Sequence, residues 1–291
     1  MYKLKGTTPV VKDITRFKSL IYGDHGVGKS HLVCSIPKIY YMDTENLDNY
    51  PHFMKMLLKN NSTYSKVNTL DEMMDEVKAL MTTQHDYKTV VIDSLSPIYA
   101  MGVNLETERI EKQTRADVAY SADTKKPKKT IMNLASLLNK LDMNVIIISH
   151  EKVDFAKNAI FEKTYTIPKE IGYMLGSVIY LEARGDKRIG RIFKNKGDNL
   201  KLFEQVDLTN GYESLVLKTG RETFEEKSVP KTLATEEQLL EYGSLIKILN
   251  VPMDTIQEWL TKADAFNASE FTEEQMNKIL THLKNKQEKK S

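Results

Sequence analysis

Eight consecutive residues constrain this chain more than any others: Gly23-Asp24-His25-Gly26-Val27-Gly28-Lys29-Ser30. They match the phosphate-binding pattern G-x-x-x-x-G-K-[ST] and lie between an apolar run that reads as a strand, residues 17–22, and a segment that reads as a helix. Glycines at these places let the backbone curl until several amide N–H groups face one phosphate, and the helix start adds the positive end of its dipole. In that setting Gly23, Asp24, His25, Gly26, Val27 and Gly28 form a cradle, while Lys29 meets the β- and γ-phosphates. Ser30 offers its hydroxyl to Mg²⁺. The expected ligands are ATP and Mg²⁺.

Such a loop belongs on a parallel sheet, and the first two hundred residues read as one. Apolar runs at 39–42, 89–92 and 145–149 alternate with helical spacing at 70–81 and 131–141. Thr69-Leu70-Asp71-Glu72 reads as a capping box before the first of these helices. Residues 179–183 and 188–194, joined by the turn Gly185-Asp186, predict a hairpin that closes the sheet. The fold class is therefore α/β, mostly parallel and flanked by helices, with a small all-α module behind it. The core is expected over 1–217. The polar stretch 218–234, with Pro230, reads as a linker. The module over 235–291 carries three helix starts, Thr235-Glu236-Glu237-Gln238, Asp254-Thr255-Ile256-Gln257 and Thr272-Glu273-Glu274-Gln275, and ends in a basic tail from Lys284.

Composition limits the possibilities without choosing among them. With 42 basic and 40 acidic residues the net charge is +2, too small to advertise nucleic acid by itself. One cysteine, Cys34, excludes an internal disulfide framework and a multi-cysteine zinc site, and reads as a small core residue in a reducing compartment. The opening Met1-Tyr2-Lys3-Leu4-Lys5-Gly6 lacks the apolar run of a secretory leader, and no stretch is apolar enough to span a bilayer. A cytoplasmic protein with no membrane partner is expected.

The strand ends carry the candidate chemistry. Thr89-Val90-Val91-Ile92-Asp93 finishes in a carboxylate suited to the Mg²⁺ shell, or to capping the next turn together with Ser94. After Tyr40-Tyr41-Met42-Asp43-Thr44, Glu45 is the general-base candidate for the attacking water; Asp43 is the alternative, and both residues could instead cap the next segment. Val145-Ile146-Ile147-Ile148-Ser149-His150 places His150 where it could sense the γ-phosphate or serve structurally. Tyr50 is placed either to stack on a base or to fill the core.

Together these motifs resemble the RecA-like ATPase core over residues 17–217. Tyr41-Met42-Asp43-Thr44-Glu45 and Ile92-Asp93-Ser94-Leu95 are similar to that family's catalytic-glutamate and Walker B strands. Phe193-Lys194-Asn195-Lys196 resembles the segment whose lysines reach a neighbour's ATP. The resemblance thus implies Lys194 and Lys196 as trans-acting cations in a homo-oligomer, ring or filament, the alternative being a solvated hairpin end. The short distance from Lys29 to Glu45, and His150-Glu151-Lys152, are unlike bacterial RecA and similar to phage-encoded ATPases of the Sak type, regarded as single-strand annealing or recombination proteins. A helical C-terminal piece like 235–284 recurs on phage recombination proteins too.

By the same resemblance, DNA is held by loops after the Walker B and sensor strands. Residues 104–130 carry Lys125, Lys126, Lys128 and Lys129, diluted by Glu106, Glu108 and Glu111, and read equally as a phosphate track or a charged exposed helix. Residues 152–169 interleave Lys152, Lys157 and Lys163 with Phe155 and Phe161, a pattern that suits single-stranded nucleic acid and also builds hairpin cores. The leading expectation is a DNA-stimulated ATPase that binds single-stranded DNA and promotes annealing or strand exchange in phage recombination or replication, in the host-cell cytoplasm. A single-stranded-DNA-binding or replication protein would be a further partner. A hexameric helicase, a helicase loader and an NTP-dependent switch without DNA are the alternatives.

Overall fold

Six parallel strands form the centre of the fold, and their carboxyl ends meet at one edge. The computed structural model describes residues 15–114, 123–155, 161–263 and 265–288. The strands are β1 (Lys18–Gly23), β2 (Ile39–Asp43), β3 (Thr63–Lys66), β4 (Thr89–Asp93), β5 (Asn144–Phe155), β6 (Phe161–Tyr165), β7 (Ser177–Arg184), β8 (Lys187–Asn195) and β9 (Gln205–Asp207). Their order is β3-β2-β4-β5-β1-β7-β8-β9, with β6 paired to β5 alone. Strands β8 and β9 are antiparallel additions, and so is β6. Register aligns Gly23 with His150 and Asp43 with Asp93, which puts His150 level with the end of β1 and the ends of β2 and β4 level with each other.

Helices cover both faces, so the inner strands are buried on both sides and read as continuous apolar runs. Leu20, Met42, Val90, Ile92, Val145 and Ile147 face one helical layer, while Ile21, Tyr41, Val91, Ile146 and Ile148 face the other. The first layer contains α3 (Leu70–Thr82), α4 (Leu95–Thr114), α5 (Lys125–Lys140) and α6 (Lys169–Met174). The second contains α1 (Lys29–Cys34), α2 (Pro51–Lys59), α7 (Tyr212–Thr219) and α8 (Glu222–Glu225), with Cys34 fully buried among them. At the start of α3, Thr69 Oγ1 accepts from Glu72 N at 3.1 Å while the Glu72 carboxylate accepts from Asn68 N at 2.8 Å. The α/β class with a closing hairpin and helical C-terminal part agrees with the sequence expectation.

One open alternative is narrowed and two expectations change. Over 104–130 the charged-helix reading describes 104–114 and 125–130, because α4 runs to Thr114 and α5 begins at Lys125, after a turn at 123–124. The stretch from 152 is a β-ribbon, since β5 continues to Phe155 and pairs with β6 from Glu151↔Tyr165 to Phe155↔Phe161. Alternation in Lys152-Val153-Asp154-Phe155 has the strand period that a loop assignment overlooks. The core also reaches past 217: Phe224 is 1% exposed, its ring 5.7 Å from Phe17 and 5.6 Å from Tyr212. Arg16 donates to the carbonyls of Glu226 and Lys227, and Val229 N donates to Asp142, so the presumed linker is tied along the core. One apolar anchor among charged residues was enough to hide this.

The C-terminal helices are α9 (Glu236–Ile248), α10 (Met253–Lys262) and α11 (Glu273–Glu288), packed on Tyr242, Leu245, Phe271, Met276, Leu280 and Leu283. Thr235 with Gln238 forms a capping box, and Thr272 with Gln275 exchanges the same two bonds. The middle start lies earlier than expected, at Met253 after Pro252. Helix α11 continues to Glu288, through the first half of the expected tail. Lys140 of the core meets the buried Glu270 at 2.9 Å. Among the described residues no helix is long and apolar enough to cross a membrane.

Candidate nucleotide site

The glycine loop leaves β1 between β5 on one side and β7 on the other. Gly26 and Gly28 have φ of 73° and 95°, a region that side-chain-bearing residues rarely adopt. At Gly23 the need is contact, because a Cβ there would sit 2.2 Å from the Leu181 carbonyl oxygen of β7. Lys29 folds back over the loop, its Nζ donating to the carbonyls of Gly23 at 2.9 Å and Asp24 at 2.7 Å. Burial lowers the Lys29 pKa, although the carboxylates of Asp93, Glu45 and Asp24 oppose the shift.

Asp93 closes the floor. Its Oδ2 accepts from Ser30 Oγ at 2.6 Å and from the Tyr41 hydroxyl. Only 4% of the residue is exposed, and burial pushes its pKa up to about 6 against the pull of those two hydroxyls. A buried carboxylate beside a serine hydroxyl is a donor set suited to Mg²⁺, an oxygen-seeking ion that keeps most of its positions for water and phosphate.

Two residues apart, Asp43 and Glu45 have separate roles. Asp43 is fully buried and accepts from the backbone N–H of Glu45 at 2.8 Å, that of Leu47 at 2.6 Å and the Tyr64 hydroxyl at 2.6 Å. It shapes the turn. Glu45 is partly exposed and its Oε1 accepts from His150 Nε2 at 2.6 Å and from the Ser94 hydroxyl. Burial alone would raise its pKa, but those hydrogen bonds, with the charges of His150 and Lys29, hold the carboxyl below its ordinary value. His150 also lies 5.2 Å ring to ring from His25. Its backbone N–H donates to Ser96 Oγ, which also accepts from Thr166, so the start of α4, the middle of β5 and the exit of β6 meet behind it.

These groups share a cleft of about 470 Å³, lined by the loop, Glu45, Asp93 and His150 and also by Phe53, Arg188 and Thr209. Tyr50 is 55% exposed and not among the lining residues; Phe53, one turn on, takes that place. Arg188 and Thr209 escaped sequence reasoning because they come from the closing hairpin and the segment after β9. The signal was the pairing of β7 with β1, Tyr22↔Tyr180, which carries the hairpin tip to the loop.

The remaining candidates lie elsewhere. Lys194 pairs with Val178 at the start of β7, beside the beginning of β1 and away from the chain's own glycine loop. Its Nζ donates to the carbonyls of Gly172, Tyr173 and Leu175 at the end of α6, and burial, with Lys196 close by, lowers its pKa. That ammonium is fully employed in capping. Lys196 lines a separate cleft with Arg16 and Asp198. Lys126 pairs with Glu106 at 3.6 Å and Lys128 with Glu170, while Lys125, Lys129 and Lys152 are exposed. Lys163 meets Tyr180 OH at 2.9 Å and Glu151 at 3.0 Å, bonds that raise its pKa well above the usual lysine range. Lys157 and the side chains of Phe155 and Phe161 lie outside the described residues.

A family model for an AAA domain matches residues 15–192. Among solved structures, a crystal structure of the RadB recombinase aligns with a TM-score of 0.42 at 15% identity, covering 67% of this chain and 89% of that one. No curated protein matches.

Proposed function

The chain belongs to the AAA-domain family, and from that premise we propose that it is a Mg²⁺-dependent ATPase acting on single-stranded DNA, in annealing or strand exchange during phage recombination or replication. The observation that carries the ATPase reading is the meeting of Lys29, the Ser30–Asp93 pair and Glu45 in one cleft. Lys29 gives up two loop carbonyls in exchange for phosphate oxygens. Glu45, ionised and steered by His150 and Ser94 through Oε1, keeps Oε2 to orient and deprotonate the attacking water. Ser30 and Asp93 would hold Mg²⁺, which when bound neutralises charge on the phosphates.

Support for the DNA half is positional. His150 stands where β5 leaves the sheet for the ribbon, and Ser96 and Thr166 join it to α4 and β6. Exposed Lys152 is carried on β5 itself and exposed Lys125 and Lys129 on α5, which packs against α4, where cations can track a phosphate backbone. An oligomer would bring a neighbour's Lys196 toward the cleft, with Lys194 fixing the hairpin. The test is ATP turnover with and without single-stranded DNA, run beside an annealing assay. Stimulation and annealing are expected, and Lys29→Ala should abolish turnover. Indifference to DNA would remove the DNA half; ATP-driven duplex separation would replace annealing with a motor function; hydrolysis surviving Lys29→Ala would remove the site.

A further inference from the structure

The two flanks of β1 contribute different chemistry to the cleft. Glu45, Asp93 and His150 come from β2, β4 and β5, all on one side. Arg188 comes from the β7–β8 hairpin on the other, and lines the same cleft. A Cβ built on Gly28 would lie 3.0 Å from Arg188 Nε and 3.4 Å from its Cδ, so the arginine lies across the last glycine before Lys29. Any side chain at 28 would displace it, in addition to the strain at φ 95°.

The hairpin's arginines differ in how their charge is satisfied. Arg184 and Arg191 both pair with Glu182, at 2.6 and 3.2 Å. Among the described residues Arg188 has no carboxylate partner, and its guanidinium makes only two long contacts, from Nη1 to the carbonyls of Gly185 at 3.4 Å and Lys187 at 3.3 Å. Its backbone, in contrast, is fixed: its N–H donates to Thr209 Oγ1 at 3.0 Å and its carbonyl accepts from Leu208 N at 2.7 Å. A guanidinium on a fixed backbone, with unused donors beside a phosphate loop, is suited to an anionic oxygen, which it can grip through two parallel N–H groups.

We propose that Arg188 grips the nucleoside-diphosphate part of the bound nucleotide from within the same chain, so that the β7–β8 hairpin sets nucleotide affinity while the opposite flank performs cleavage. This rests on the ATP-site reading above. The γ-phosphate must face Glu45 and His150, which leaves the α- and β-phosphates and the ribose to the Arg188 side, where Asp186 and Thr209 add polar groups. A contact made equally to ADP and ATP is uniform binding: it lowers KM and leaves kcat alone.

The experiment titrates the full chain, and its Arg188→Ala, Arg188→Lys and Lys29→Ala variants, with a fluorescent ADP, and follows ATP turnover. Loss of a charged hydrogen bond predicts a fall in ADP affinity of about 10- to 100-fold for Arg188→Ala, an equal rise in KM for ATP, and kcat within about twofold. Arg188→Lys should recover part of the affinity, with unchanged thermal unfolding showing that both variants fold. Intact ADP affinity in Arg188→Ala, or a fall in kcat with ADP affinity retained, would overturn the role of Arg188. Wild-type protein that bound no ADP would instead remove the site itself, and with it both readings.

Discussion

In the nucleotide cleft, charged side chains are mounted on strand ends and face a shared space; in the basic segments of α5 and the β5–β6 ribbon, much of the charge is answered by neighbours. Lys29 rests on loop carbonyls, Asp93 on two hydroxyls and Glu45 on His150 and Ser94, all of them replaceable or still partly open. Lys126, Lys128 and Lys163 each meet a glutamate. A lysine-rich stretch in the sequence therefore measures composition, whereas charge available to a ligand depends on what the fold has placed opposite it.

The largest effect belongs to Glu45. Glu45→Gln keeps the size of the side chain and one acceptor oxygen while removing the base, so turnover should fall by about 10²- to 10⁴-fold with ADP affinity unchanged. Steady-state kinetics beside ADP titration measures both. Because the Glu45 carboxyl titrates below its ordinary value while burial raises Asp93 to about 6, acidification should cost the wild-type rate first through Asp93, with the base still ionised. A variant that turned over ATP at the wild-type rate would shift the base to another group and blur the contrast between the regions.

Asp43 sharpens the same contrast from within one turn of chain. It has no exposed surface and accepts three hydrogen bonds. Asp43→Asn would leave one oxygen for three donors and turn an amide N–H₂ toward them, costing about 2–4 kcal/mol of folding stability. Urea unfolding should show that loss in Asp43→Asn and a change within about 0.5 kcal/mol for the partly exposed Glu45→Gln. The reverse ordering would mean that the two carboxylates had been assigned the wrong way round.

Both carboxylates could be recognised in the sequence as residues at a strand end, but their division of labour could not. Which of two acidic residues turns inward depends on Tyr64, from β3, and on His150, more than a hundred positions away. What could be read was local or periodic: the glycine spacing, the doubly buried strands, the Thr69 and Thr235 caps. What escaped lacked either property. Strand β3, Thr63-Tyr64-Ser65-Lys66, is an edge strand with no apolar run, and β9 is three residues long. Arg188 was legible as the start of a strand, while its position over Gly28 depends on the β1–β7 pairing.

The smallest effect concerns the lysines. Lys125 and Lys129 are exposed at the start of α5, whereas Lys126 and Lys128, which lie between them, are matched to Glu106 and Glu170. If single-stranded DNA follows this surface, each phosphate contact releases about 0.7 of a counterion, so the double reversal Lys125→Glu and Lys129→Glu should reduce the slope of log affinity against log salt by about 1.4. Reversal of Lys126 and Lys128 should change the slope less, because the glutamates opposite already cancel those charges in the free protein, although the new glutamates would then repel one another locally. Mobility shifts of a labelled oligonucleotide across a salt series distinguish the two pairs. Equal loss from both would mean that DNA displaces the ion pairs and takes all four lysines, and then composition would have been the better guide; no loss from either would move the DNA path to the ribbon side, where Lys152 and the ion-paired Lys163 are exposed.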